Sequence, residues 1–223
     1  MSHTQLDTIQ IETAPNPTVS IIWMHGLGVD GHDFAPIVQE LDLAGCPPIR
    51  FIFPHAPMMP VTINNGYVMR AWYDILGVDL VRREDEAGLR KSQAMIERLI
   101  EQEKARGIAA GRIVLAGFSQ GCAMALQTGL RHPEKLAGLL CLSGYLPLHT
   151  AVPEERHAAN QGTPIFLAHG RGDPVVPILR AEQSRDILTS LGYAVEWHDY
   201  PMPHSLCGEE IDDIGAWLKR VLA

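Results

Sequence analysis

The stretch "RIVLAGFSQGCAMALQTGL", residues 112–130, decides how the rest of the chain is read. Its first part is a short apolar run of the kind that fills a buried strand, and its second part carries apolar residues at helical spacing. Ser119 stands at the junction, with Gly117 and Gly121 two residues away on either side. A strand that turns directly into a helix leaves no room for side chains at those flanking positions, and glycine removes them. Two readings of Ser119 follow: a nucleophile displayed on a strained turn, or the helix N-cap that serine often supplies.

Working outward, the same grammar repeats. "TVSIIWMH" reads as a buried strand ending in the glycine-rich "GLGVDG", and "HDFAPIVQELDLA" follows at helical spacing. "PIRFIFPHAP" is another buried strand stopped by prolines. Residues 86–106 form the clearest amphipathic helix, with Leu89, Met95, Ile96, Leu99 and Ile100 on one side. After residue 130 come the strand "LAGLLCLSG", the strand "TPIFLAHG", the helix "ILRAEQSRDILTSLG", the strand "AVEWHDY" and a terminal helix from Gly208. "TIQIET", near the start, alternates like an edge strand. Short apolar strands separated by helices predict an α/β fold, a mostly parallel sheet with helices on both faces, in one domain over residues 1–223. The one long irregular region expected is 54–85, and a loop of that length in a compact domain is usually functional.

Bulk properties narrow the partners. A net charge of −8 argues against an electrostatic grip on nucleic acid or on an anionic membrane. The longest apolar runs fall far short of the roughly 20 residues of a membrane span, and no signal peptide opens the chain. Cys46, Cys122, Cys141 and Cys207 are scattered without the close Cys/His spacing of a structural zinc site, which predicts free thiols in a reducing cytoplasm.

If Ser119 is a nucleophile, it needs a base to take its proton and an acid to fix the base. On a sheet of this kind the order is Ser, then Asp or Glu, then His, with acid and base on loops after later strands. Of the six histidines beyond Ser119, His132 ends a helix, His149 and His157 precede the next strand, and His169 and His198 fall within the strands "TPIFLAHG" and "AVEWHDY". His204, in the loop "YPMPHSLCGE", remains. Asp173 lies in the turn "GRGDPVVP" after a buried strand, whereas Asp186, Asp212 and Asp213 fall on helices. An Asp before proline also suits an ordinary turn, and Asp199 is a rival acid close to His204 in sequence. The oxyanion formed on attack needs N–H donors, for which the backbone amides of Gln120 and of Leu27, in "HGLG", are the candidates. A phosphate-binding reading of that loop fails, since neither a complete dinucleotide fingerprint nor a P-loop lysine is present.

The motifs "WMHGLG", "PHAPMMPVTINNGYVMRAWYDI", "EAGLRKS", "AGFSQG", "LSGYLPL", "HGRGDPVVP" and "MPHSLC", in this order, resemble the acyl-protein thioesterase and carboxylesterase family of α/β-hydrolases, which includes lysophospholipases. The resemblance runs almost end to end. It implies Ser119, His204 and Asp173 as a triad, Leu27 and Gln120 as oxyanion donors, and an acyl groove lined from residues 54–85 by Met58, Met59, Val61, Ile63 and Trp72, with Val176 as a further substrate-binding residue. Asp74 is expected to brace that region through hydrogen bonds. The short span between residues 144 and 163 leaves little room for a lid, so an open site is expected. The expected activity is a carboxylesterase acting on short to medium acyl esters, with an acyl-protein thioesterase or a lysophospholipase as the alternative and a non-catalytic binding module as the remote one. No cofactor or metal is required by that chemistry. The expected partner is a small acyl ester or thioester or an acylated protein, and a homodimer stays open.

Overall fold

A computed structural model of the chain describes residues 6–77 and 84–223. Seven strands make one sheet: β1 (Thr8–Glu12), β2 (Val19–Met24), β3 (Ile49–Pro54), β6 (Ile113–Phe118), β7 (Gly138–Leu142), β8 (Ile165–Gly170) and β9 (Val195–Tyr200). Their order is β1-β3-β2-β6-β7-β8-β9. β1 pairs antiparallel with β3, and every other pairing is parallel. Parallel strands need crossovers, and the helices α1 (Ile37–Glu40), α2 (Glu86–Ala105), α3 (Gln120–Gly129), α5 (Ile178–Ser190) and α6 (Gly208–Leu222) lie between or after them.

Both faces of the inner strands are covered, which explains their unbroken apolar sequence. Ile22 and Met24 of β2, with Ile113 and Leu115 of β6, face a core shared with Leu89, Ile96 and Ile100 of α2, the interior of α3, and Leu188 of α5. The alternate residues Ile21, Trp23, Val114 and Ala116 face the opposite core, filled by Ile37 of α1 and by Ile214, Trp217 and Leu218 of α6. Asp85 caps α2, its carboxylate accepting from Gly88 N at 2.9 Å and from Asp74 N at 2.8 Å.

Two expectations change in detail. The helix read over 32–44 is only the four residues of α1, with turns around it. Pro36 and the Gly45–Pro48 stretch bound it closely. The region 54–85 is less irregular than expected: β4 (Met58–Val61) and β5 (Tyr67–Arg70) form a separate antiparallel hairpin around Asn65 and Gly66, both at positive φ. Residues 78–83 of that region lie outside the described residues. Between 144 and 163 stand only the short helix α4 (Val152–Glu155) and one 3-10 turn, so no helical lid rises there.

Candidate active site

The strand order reverses between β2 and β6: β3 lies on one side of β2 and β6 on the other. In open α/β sheets that switch point forms a crevice outside the carboxyl ends of the strands. Met24 at the end of β2 pairs with Gly117 of β6, so the "HGLG" loop and the Ser119 turn emerge side by side.

Ser119 holds φ 57° and ψ −115°, outside the regions that L residues ordinarily populate. Such a conformation costs on the order of 1–3 kcal/mol and needs support from its surroundings. The Ser119 amide donates to Leu142 O at 2.9 Å, and the two glycines allow the close packing around it. A Cβ on Gly117 would stand 2.2 Å from the Gly121 backbone, and one on Gly121 would stand 2.0 Å from Met24 O. The Ser119 hydroxyl makes no capping bond to α3, although its position is that of the N-cap. The capping alternative therefore fails, and the hydroxyl is left for other work.

Asp173 follows β8 by three residues and His204 follows β9 by four. The two loops are laced together. Arg171 N donates to Tyr200 O at 2.8 Å and Gly172 N to Met202 O at 3.1 Å. A Cβ on Gly170 would stand 2.4 Å from Met202 O and from Pro203 O, so only glycine lets the His204 loop cross there. The result is a 2.6 Å contact between His204 Nδ1 and Asp173 Oδ2. The other oxygen of Asp173 accepts from Val175 N at 2.8 Å and Val176 N at 2.9 Å. A carboxylate buried without such donors would be costly, whereas this one is fully satisfied. The His204 ring lies 4.7 Å, centroid to centroid, from Phe118, the neighbour of Ser119. Asp199, the rival acid, instead pairs with Arg171 and Trp197.

Three polar residues near these loops have roles that the sequence did not disclose. His169 Nε2–H donates to Val176 O at 2.7 Å and lies 3.3 Å from Asp173 Oδ2, while burial lowers its pKa. His25 Nε2 accepts from Ala56 N at 2.9 Å, so Nδ1 carries the proton and donates to Gly26 O at 2.6 Å. Burial lowers its pKa to about 4, making it a neutral splint under the loop that carries Leu27. The buried side chain of Gln120 accepts from Trp72 N at 3.1 Å and donates to Tyr73 O at 2.9 Å. A glutamine beside the nucleophile was the available signal, but its partners are some 47 residues away in sequence.

The expected groove residues divide. Met58 and Ile63 are exposed, at 58% and 38%, on or beside the hairpin. Trp72 is buried in the core, its indole N–H donating to His25 O at 2.9 Å, and so supplies no groove surface. Val61 is likewise buried and Met59 half-buried. Val176 is also buried and contributes its backbone to Asp173 and His169. Tyr67 and Val68, which the sequence did not single out, are exposed and line a cleft of about 600 Å³ with Met58 and Met69, against Gly28, Val29 and the polar Asp30, His32, Asp33 and Arg70. Asp74 braces the region as expected, accepting from Thr62 N at 2.7 Å.

A serine on a strained strand-to-helix turn at the switch point, with an Asp–His pair on the loops after β8 and β9, marks the serine hydrolases of the α/β-hydrolase fold. The chain belongs to the phospholipase/carboxylesterase family, whose model matches residues 7–222. It is 45% identical over 219 residues to an acyl-protein thioesterase 1 of Neurospora crassa, covering 92% of this chain and 87% of that one. It is 40% identical over 236 residues to an acyl-protein thioesterase 1 of Gibberella zeae, covering 100% and 98%. Among solved structures, an acyl-protein thioesterase 2 of Zea mays superposes with a TM-score of 0.87 at 28% identity, over 98% of this chain and all of that one. The protein is thus a serine hydrolase of the ester and thioester class. No helix among the described residues is long and apolar enough to cross a membrane.

Proposed function

We propose that the protein is an acyl-protein thioesterase that removes acyl groups from cysteine side chains, using Ser119 as nucleophile, His204 as base and Asp173 as its orienting acid. This reverses the order of the two activities expected from the sequence, where the simple carboxylesterase came first. The names of the relatives at 40–45% identity favour the thioesterase. The observation that carries the triad is the 2.6 Å Asp173–His204 contact on loops laced beside the Ser119 turn.

In this reading, His204 Nε2 takes the Ser119 proton as Oγ attacks the thioester carbonyl, and the Leu27 and Gln120 amides receive the oxyanion. The tetrahedral intermediate collapses to an acyl-serine, and His204 returns the proton to the departing cysteine thiolate. Water, activated by the same imidazole, then attacks the acyl-serine and releases the fatty acid and the free hydroxyl. Asp173 keeps Nδ1 protonated throughout and balances the imidazolium. The cleft beside Met58, Tyr67 and Val68 takes the acyl chain. The four free cysteines suit a reducing cytoplasm, where such substrates occur.

The test is a pair of substrates with one acyl chain, an S-acyl-cysteine peptide and the matching O-acyl-serine peptide, compared by kcat/KM. A preference of about tenfold or more for the thioester is expected beyond the intrinsic reactivity difference measured with hydroxide. Equal or reversed selectivity after that correction would return the carboxylesterase to first place.

A further inference from the structure

We propose that Asp30, His32 and His55 form a binding site for a divalent transition metal of the zinc class, at the polar edge of the cleft that carries Met58, Tyr67 and Val68 and apart from the Ser119, Asp173 and His204 side chains. Among the described residues they are a cluster whose ligand atoms all lie within 4.8 Å of one another. His32 Nδ1 is 2.9 Å from Asp30 Oδ1, and His55 Nδ1 is 3.9 Å from the same oxygen. Zinc binds imidazole nitrogen and carboxylate oxygen at about 2.0–2.2 Å, so tetrahedral ligands stand about 3.4 Å apart. The two observed separations straddle that value. The third separation, between the two imidazole nitrogens, is at most 4.8 Å and closes by turning the exposed His32 ring.

The backbone brings these residues together. Asp30 and His32 flank Gly31 on the loop after β2, and His55 directly follows β3. A Cβ on Gly31 would stand 2.5 Å from Phe53 O, so glycine allows this loop to lie directly on the end of β3. Gly31 N donates to His55 Nδ1 at 3.1 Å, and the His32 and His55 rings are 5.4 Å apart. In the metal-free protein the Gly31–His55 and Asp30–His32 hydrogen bonds occupy lone pairs that a cation would take over. His55 can bind by exchanging the Gly31 bond or by offering Nε2. The side chains can turn to follow, since that of His32 is 74% exposed and that of Asp30 39%.

The donor set selects the metal. Two imidazoles and one carboxylate favour zinc and its transition-metal neighbours, whereas magnesium and calcium prefer oxygen shells. Three protein ligands leave a fourth position open to water or to an external ligand. No metal was expected from the sequence, because Asp30 and His32 show a spacing too short to signal a site alone, and His55 joins them only through the sheet.

The experiment is calorimetric titration of the chelator-treated full-length protein with zinc chloride. His32→Ala and Asp30→Asn are the test variants, and His157→Ala, an exposed histidine on another face, is the control. One site should titrate in the wild type and in His157→Ala, with Kd raised tenfold or more in each test variant. Zinc should also raise the unfolding temperature of the wild type and not that of His32→Ala, whose metal-free unfolding temperature should match the wild type. Equal zinc affinity in the wild type and both test variants, or no binding below about 100 μM in the wild type, would overturn the site. The two variants alter different ligands at exposed positions, so the outcome does not depend on the folding of either one.

Discussion

The rim that carries Ser119, Asp173 and His204 and the hairpin of β4 and β5 lie at the same end of the molecule, yet they are built on opposite terms. On the rim, Asp173 is buried and Ser119 and His204 are half-buried, backbone strain is braced by close glycine packing, and Asp173 has partners for both oxygens. On the hairpin, Met58, Tyr67 and Val68 expose 58%, 70% and 52% of their surface and are held by few interstrand pairs. Bond-making needs atoms fixed to within tenths of an ångström, whereas gripping an acyl chain needs apolar surface with some give. Substitutions on the rim should therefore strike turnover, and those on the hairpin should strike acyl-chain preference.

The largest effect is expected from Ser119→Ala, which should lower kcat by about 10⁴-fold or more with folding intact. A loss below tenfold would dissolve the distinction between the two regions. Asp173→Asn comes next: it leaves the loop in place but no longer fixes the His204 tautomer, and kcat should fall by about 10³–10⁴ with KM nearly unchanged.

A third prediction contrasts two buried carboxyls near the rim. Unlike Asp173, Glu210, in the first turn of α6, is buried with no side-chain donor or cation paired to either oxygen among the described residues. Burial pushes its pKa from 4.5 up to about 8, and the Cys207 backbone offsets only part of that rise. The folded protein then holds a proton that the unfolded chain has released, so stability falls as pH rises from about 4.5 to 8 and levels off above. Glu210→Gln should remove that slope and stabilise the protein at pH 8.5 by about 5 kcal/mol, and at pH 5.5 by about 1 kcal/mol, by denaturant unfolding. Identical slopes in both proteins would show that Glu210 is ionised in the folded state.

Gln120→Ala keeps the backbone amide but cuts the bonds to Trp72 N and Tyr73 O. Activity should fall about tenfold, far less than for Ser119→Ala, with some loss of stability. The smallest effect is expected from Val68→Ser: KM for long acyl substrates should rise a few fold, about 1 kcal/mol, while short acyl substrates are unaffected. An equal change for both lengths would remove the hairpin from the acyl groove.

The sheet and the candidate triad were legible because both rest on local patterns. Buried parallel strands must be apolar throughout, a sharp strand-to-helix turn must carry glycines, and residues after strands gather at one end of the sheet. What escaped depends on contacts between distant segments. Trp72, in a stretch without apolar periodicity, reads as a loop residue free to meet substrate, but its indole N–H finds His25 O and the ring joins the core. Val176 reads as an apolar lining residue, and its use turns out to be its backbone. The Gln120 clamp, the His169 bond to Val176 O and the His25 splint are hydrogen bonds within and across loops, for which no periodicity exists in the sequence.

The proposed chemistry is tested most directly by quenching the wild-type enzyme in acid during turnover of an S-acyl-cysteine peptide and mapping the covalent acyl group by mass spectrometry. One acyl group per chain is predicted on the peptide containing Ser119, absent in Ser119→Ala. An acyl group on Cys207, the half-buried thiol three residues beyond His204, with Ser119 unmodified, would contradict a serine nucleophile.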